Sequence, residues 1–302
     1  MTRAVALAAV AAATACVPAP ARLPPQTVAP PPAAPSPAAP PRPLPPPPAV
    51  ATPAQFGLTG LARQGDVLIG TAPEGTIRLM LDGEEVAVAP DRRFLIGFDR
   101  DARDRATLSA TLADGATLVL TLPVAPRAWA IQRLDRLARV PVPDADFAAR
   151  RPAELARIAA ARAMATDADG WRQRLIWPAT GRISGVFGSQ RIYRGEPGAY
   201  HSGVDVAKPT GSPVVAPAAG VVVLAADTPF TLEGRLLILD HGAGLSSAFL
   251  HLSRIDVVPG QRVAQGAAVG AVGATGRATG PHLHWSLVWR GRRVDPQATL
   301  DR

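Results

Sequence analysis

The chain has 302 residues, enough for two or three compact units that each bury a core. Its formal charge is +8, but Lys208 is the only lysine. The arginines are scattered through Ala-, Pro- and Gly-rich sequence without a helix-turn-helix, zinc-finger or aromatic-basic pattern, which argues against a nucleic-acid partner and leaves a mild attraction to anionic envelope polymers. A single cysteine, Cys16, excludes an intramolecular disulfide.

Residues 1–15 read as an export signal: a short cationic start at Arg3, an apolar run from Ala4 to Thr14 too brief to span a bilayer, and the small-x-small cleavage pattern Ala13-Thr14-Ala15. Cys16 follows directly. Ala13-Thr14-Ala15-Cys16 resembles a bacterial lipobox with Ala13 where Leu is usual, which implies a lipidated Cys16. Val17 stands where an acidic residue would favour inner-membrane retention, so the expected anchor is the outer membrane and the expected location the periplasm. A secreted form is the alternative.

Residues 16–53 hold about half of the 33 prolines. Proline removes backbone donors and fixes φ, so this stretch is expected to be a disordered, polyproline-like spacer without helix or sheet ladders. At ~3.1 Å per residue it reaches on the order of 100 Å when straight.

Residues 54–126 alternate apolar and polar positions between turn signals. Val67–Ile69, Ile77–Leu81, Phe94–Phe98, Ala106–Leu112 and Leu118–Leu122 are expected strands, with Asp82-Gly83 and Asp114-Gly115 as hairpin turns. A small β-sandwich, immunoglobulin-like, accounts for this pattern, and nothing in it looks catalytic.

Residues 127–174 are expected to form a helical connector. Leu155, Ile158 and Ala159 recur at helical spacing, Pro152 suits a first-turn position, and Asp167 to Gly170 closes the run. A helix placed upstream of a groove either links two domains or covers the groove.

Residues 175–302 return to strands between glycine-rich turns, at 220–226, 235–240, 246–252, 267–272 and 282–289. All five histidines of the chain fall between His201 and His284, and four have settings that suit a mononuclear metal hydrolase. On strands, residues two or four apart share a face, so His201 with Asp205 and His282 with His284 are co-facial pairs able to converge on one ion. The spacing leaves open which of His282 and His284 is the ligand. His241, at a turn after an apolar strand, reads as structural.

Gly185-Val186-Phe187-Gly188, His201-Ser202-Gly203-Val204-Asp205, Gly211 to Pro217, Phe249-Leu250-His251-Leu252-Ser253 and Thr275 to His284 occur in the order found in lysostaphin-like, LytM-domain zinc endopeptidases. The resemblance covers about 177–296. It implies the antiparallel β fold with a duplicated hybrid motif, Zn²⁺ held by His201, Asp205 and His284, and His251 and His282 as the catalytic histidines. It also implies peptidoglycan as the substrate, through hydrolysis of stem or cross-link peptide bonds in cell-wall remodelling. Glycines such as Gly185, Gly188 and Gly203 are expected to keep the groove walls low. Phe249 stands where the family often has Tyr, and Arg235 where a small polar residue is common. The alternatives are a non-hydrolytic LytM-domain activator of cell-wall amidases and an envelope-binding scaffold.

Overall fold

The computed structural model describes residues 47–136 and 145–300. The export signal, Cys16 and all but the end of the proline-rich spacer lie outside the described residues. Among those described, no helix is long and apolar enough to cross a membrane.

Among the described residues before Gly181, nine strands and one α-helix form. The strands are β1 (Ala49–Val50), β2 (Ala62–Arg63), β3 (Val67–Thr71), β4 (Thr76–Leu81), β5 (Glu84–Glu85), β6 (Arg93–Gly97), β7 (Arg105–Leu112), β8 (Thr117–Ala125) and β9 (Ile131–Leu134), and the helix is α1 (Ala145–Ala163). One sheet has the order β1-β8-β7-β4-β5 with β2 also on β8, and β3 pairs with β6 in a two-stranded ribbon. Alternation drives both layers: Leu79 and Leu81, Leu108 and Ala110, and Leu120 and Leu122 are buried at two-residue spacing, facing a core shared with Val67 and Phe94–Ile96. Asp82 and Gly83 both adopt positive φ, 51° and 85°, as a tight hairpin turn demands.

Three features depart from expectation here. The second layer is only a ribbon, and β1 and β2 join β8 in parallel, so the pairing differs from the antiparallel immunoglobulin sandwich. The sheet begins inside the expected spacer, because Ala49 and Val50 retain the backbone donors that the flanking prolines lack and pair with Leu118 and Val119. The connector is not wholly helical: β9 pairs in parallel with a strand of the C-terminal region.

Helix α1 starts at Ala145, which puts Pro152 in its interior rather than its first turn. It ends at Ala163, and the chain then makes a short 3₁₀ turn at Gly170–Arg172.

The C-terminal region adds β10 (Arg182–Gly185), β11 (Gln190–Tyr193), β12 (Glu196–Pro197), β13 (Val204–Ala207), β14 (Pro213–Val215), β15 (Gly220–Phe230), β16 (Gly234–Gly242) and β17 (Leu245–Leu252). It closes with β18 (Arg254–Ile255), β19 (Arg262–Val263), β20 (Ala268–Ala271), β21 (His282–Trp289) and β22 (Arg292–Val294). The main sheet runs β10-β13-β21-β17-β16-β15-β19, with β22 on the edge of β21, and every pairing in it is antiparallel. A three-stranded sheet β14-β20-β18 and the small sheet β12-β11-β9 complete the fold.

The two faces of the main sheet have different partners. Trp285, Leu287, Trp289, Phe249, Leu237 and Leu239 point into one core, which is continuous with that of the N-terminal β region. Complete burial of a side chain such as Phe249 stabilises by about 1.5–3 kcal/mol. The opposite face carries His284 and, further along, a second apolar cluster. There Ile158 and Ala161 of α1 pack on Leu224, Ala226, Leu236, Ile238 and Ala248. Helix α1 therefore lies on the face of the sheet that also bears the histidines.

Candidate metal centre

Three ligand-type atoms from two adjacent strands and one loop form a tight triangle. Nε2 of His201 lies 3.0 Å from Oδ1 of Asp205 and 3.0 Å from Nδ1 of His284, and Nδ1 of His284 lies 2.8 Å from the same Oδ1. Asp205 and His284 face each other because β13 pairs with β21 in that register. His201 is not on a strand. It sits in the loop before β13, so its proximity to Asp205 comes from the loop path rather than from strand alternation.

The chemistry of this donor set fits a zinc ion. His201 donates Nδ1–H to the carbonyl of Val186 at 3.1 Å, which fixes its tautomer and leaves the Nε2 lone pair facing the triangle. Two imidazoles and a carboxylate are the usual three protein ligands of a catalytic zinc, with the fourth position open. The edges of a tetrahedral zinc site with bonds near 2.05 Å are about 3.3 Å, so binding asks the triangle to open by only a few tenths of an ångström.

Gly185 and Gly203 make room for these side chains. A Cβ on Gly185 would overlap Oδ2 of Asp205 and stand 3.0 Å from Cε1 of His201, while one on Gly203 would stand 2.7 Å from Nε2 of His284. Gly188 instead packs beneath the ring of Trp129. These glycines therefore permit close packing at and behind the proposed ligands.

Two further imidazoles face the triangle. His282 donates Nδ1–H to the carbonyl of Gly280 at 2.8 Å, and its Nε2 lies 3.9 Å from Oδ1 of Asp205. His251 donates Nδ1–H to the carbonyl of Thr275 at 2.8 Å, and its ring centroid lies 4.8 Å from that of His282 and 6.3 Å from that of His284. His282 and His284 share a face of β21, as their spacing implies.

His251 reaches the site by a device the spacing does not reveal. Phe249 pairs with Leu237 and Trp285 on the buried face, so regular alternation would send His251 into the core too. Between Leu237↔Phe249 and Arg235↔Leu252 the register shifts by one residue, and His251 adopts φ 65°. This bulge turns its ring onto the face of His284. The same geometry places Phe249 wholly in the core, out of reach of any substrate.

The local electrostatics separate the histidines. Burial disfavours the charged carboxylate of Asp205, but its hydrogen bonds with His201 and His284 outweigh this and hold it well below the usual carboxylate range. Burial opposes a charge on His201 as well, and the bond to Asp205 overcomes it, raising that imidazole above its ordinary value. Burial dominates at His284, which is lowered, and at His251, which is pushed down to about 4. His241 lies elsewhere, fully buried between the carbonyl of Ala219 and the hydroxyl of Ser247.

Sequence reasoning gave no role to several groups near these side chains: Thr275 and Glu233, whose carbonyls accept from the ring and the backbone N–H of His251, and, from outside the region of resemblance, Arg100 on the carbonyl of Gly188 and Arg151 on the Glu233 carboxylate. Thr275 is the first residue of the glycine-rich run that carries the resemblance, which is its only signal.

Fold and site together define a β metallopeptidase scaffold with a two-histidine, one-carboxylate centre. The profile of peptidase family M23 matches residues 199–296. A crystal structure of a peptidase M23 from Pseudomonas aeruginosa superposes with a TM-score of 0.62 at 31% identity, covering 80% of this chain and 96% of that one. The chain belongs to the M23 peptidase family, and its likeness to that structure extends well beyond the profile segment. Among curated relatives, the peptidoglycan DD-endopeptidase ShyA of Vibrio cholerae is 42% identical over 118 residues, 38% of this chain and 26% of the relative. The DD-carboxypeptidase/endopeptidase Mpg of Neisseria meningitidis is 37% identical over 125 residues, again 38% and 26%. The chain thus spans about a quarter of the length of these curated relatives.

Proposed function

We propose that the chain is a zinc-dependent endopeptidase that hydrolyses peptide bonds in the stem peptides or cross-links of peptidoglycan. His201, Asp205 and His284 hold the ion, and His251 and His282 act at the reacting atoms. The observation that carries this reading is the convergence of three ligand atoms within 3.0 Å of one another beneath two imidazoles whose Nδ1 atoms are both tied to carbonyls. The similarity to ShyA and Mpg supports the choice of polymer.

Zinc in this triangle would polarise the scissile carbonyl and acidify a water. The chain's own residues supply the proton traffic. With Nδ1–H engaged, His251 and His282 each present Nε2 towards the ligands, and the depressed basicity of His251 keeps it neutral near pH 7. A neutral Nε2 accepts a proton from the attacking water, and the imidazolium so formed donates to the leaving amine or to the developing oxyanion. An envelope substrate also accords with the export signal read at residues 1–15.

Purified sacculi incubated with the zinc-loaded wild-type chain and with His251→Ala test the reading. New muropeptides should appear with the wild type, disappear with a chelator, return with zinc and be absent with the variant. Identical profiles for wild type and His251→Ala would refute hydrolysis by this site.

A further inference from the structure

The bulge that carries His251 needs support, because a non-glycine residue at φ 65° is held there only by its surroundings. The support comes from the tip of the β15–β16 hairpin, Thr231–Glu233. The backbone N–H of His251 donates to the carbonyl of Glu233 at 2.8 Å, and the N–H of Arg277 donates to that of Leu232 at 3.0 Å. Thr275, whose carbonyl receives Nδ1–H of His251, accepts the N–H of Arg235 on its hydroxyl at 2.9 Å. The hairpin tip thus fixes the backbone of His251 on one side and the loop that orients its ring on the other.

Helix α1 grips the same tip from its other side. Arg151 donates both terminal nitrogens to the Glu233 carboxylate, at 2.6 and 2.8 Å, in the bidentate geometry that gives strong, directional charge-assisted bonds. The Glu154 carboxylate accepts the N–H and the hydroxyl of Thr231, at 2.7 and 2.6 Å. Arg150 donates to the carbonyl of Pro229 at 2.8 Å. Glu154 and Glu233 are 5% and 8% exposed, so these bonds are made largely out of water, where losing one partner is costly.

We infer that Arg151 and Glu154 are positioning residues for His251, acting through Thr231 and Glu233, so that α1 is a working part of the active centre rather than a connector or a cover. This rests on the catalytic role proposed for His251. The helix side of this clamp, Arg150, Arg151 and Glu154, lies outside residues 199–296, so the segment that matches the family profile carries only its hairpin side.

The test uses the full chain. Arg151→Met and the double variant Arg151→Met/Glu233→Gln, which removes both charges and leaves neither stranded, are compared with Arg151→Lys. Amide exchange at His251 is followed in the metal-free protein, and zinc content, kcat and KM on sacculus-derived peptides in the loaded one. The double variant should exchange the His251 amide at least about tenfold faster, as local opening becomes easier. Its kcat should fall by about 10–100-fold with KM within about twofold and zinc content unchanged, because the interaction lost acts in the transition state. Arg151→Lys, which keeps the charge without the fork, should fall between. His251 exchange within about twofold of wild type in the double variant overturns the inference, and so does an increase in kcat, the sign of a helix that covers the site. The exchange measurement stands without any turnover, so an inactive wild type would sink the proposed function and leave the positioning role to be judged on exchange alone.

Discussion

Arg100, in the turn after β6, donates Nε–H to the carbonyl of Gly188 at 3.0 Å, across 88 positions of sequence. Gly188 in turn donates its N–H to the carbonyl of His201, and His201 donates its own to Ser189, both at 2.8 Å. The guanidinium also reaches Gln190 at 3.1 Å and lies over the ring of Tyr200, 4.8 Å from its centroid. A buried cation of the N-terminal β region therefore braces the loop that presents His201, the first of the three proposed ligands.

Replacing Arg100 by Met should consequently reach the metal. The variant leaves the carbonyl of Gly188 without its charged donor, a loss of about 1–3 kcal/mol in stability. Supporting groups behind metal ligands typically contribute about 10–100-fold to affinity, and zinc binding should weaken by at least about tenfold. Competition with a chelating dye measures it; an unchanged zinc affinity would show that the brace serves stability only.

Zinc affinity should also climb with pH. In the metal-free chain His201 is the ligand whose proton is held more tightly than normal, by its bond to Asp205 against the opposing effect of burial, whereas His284 and Asp205 are both lowered. Below the raised His201 value the ion must displace a proton, so affinity gains up to about tenfold per pH unit and levels off above it. Calorimetry in buffers of different ionisation heat should report close to one proton released at the acidic end. Proton-free binding at about pH 6 would contradict this assignment.

How much of this was legible in the sequence depends on the distance over which each feature is encoded. The strands between Val67 and Leu122 and the co-facial pair His282/His284 follow from two-residue alternation, a local signal. The five candidate positions stood out because His201 and Asp205, and His282 and His284, lie in short glycine-containing motifs, and His251 in the apolar run Phe249-Leu250-His251-Leu252-Ser253. The turning of His251 was not, since the bulge depends on how β17 registers with β16. Arg151 and Arg100 meet their partners 82 and 88 residues away, and nothing in their own neighbourhoods marks them. Pro152 misled because proline is commonest in a helix's first turn, whereas here α1 begins seven residues earlier.

His251 should titrate far below an ordinary histidine. Burial pushes it down to about 4, only partly offset by its bond to the Thr275 carbonyl. Since its folded value lies below its unfolded one, the neutral ring is the native form. As pH falls from about 6.5 to about 4 the unfolded chain takes up this proton while the folded ring stays neutral, so stability is lost across that window, and above about 6.5 the group has no effect on stability. Ring-proton chemical shifts of the metal-free chain, assigned with His251→Gln, give the value directly. Titration near 6.5 would remove the basis for a neutral base at this position.

Gly185 offers the sharpest separation of metal binding from folding. It pairs with Asp205 across β10 and β13, and an added Cβ would overlap the Asp205 carboxylate while standing 3.0 Å from Cε1 of His201. The clash falls on two ligand side chains at a half-exposed strand end, away from the buried core. Gly185→Ala should therefore keep the fold, with metal-free stability within about 1 kcal/mol of wild type, while zinc affinity drops by two orders of magnitude or so. Thermal melts with and without zinc read both quantities in one experiment: the wild type should gain stability from the ion and the variant should gain little. If Gly185→Ala takes up zinc with wild-type affinity, then Asp205 can move aside without cost, and the close packing at this glycine is not what sets the ligand geometry.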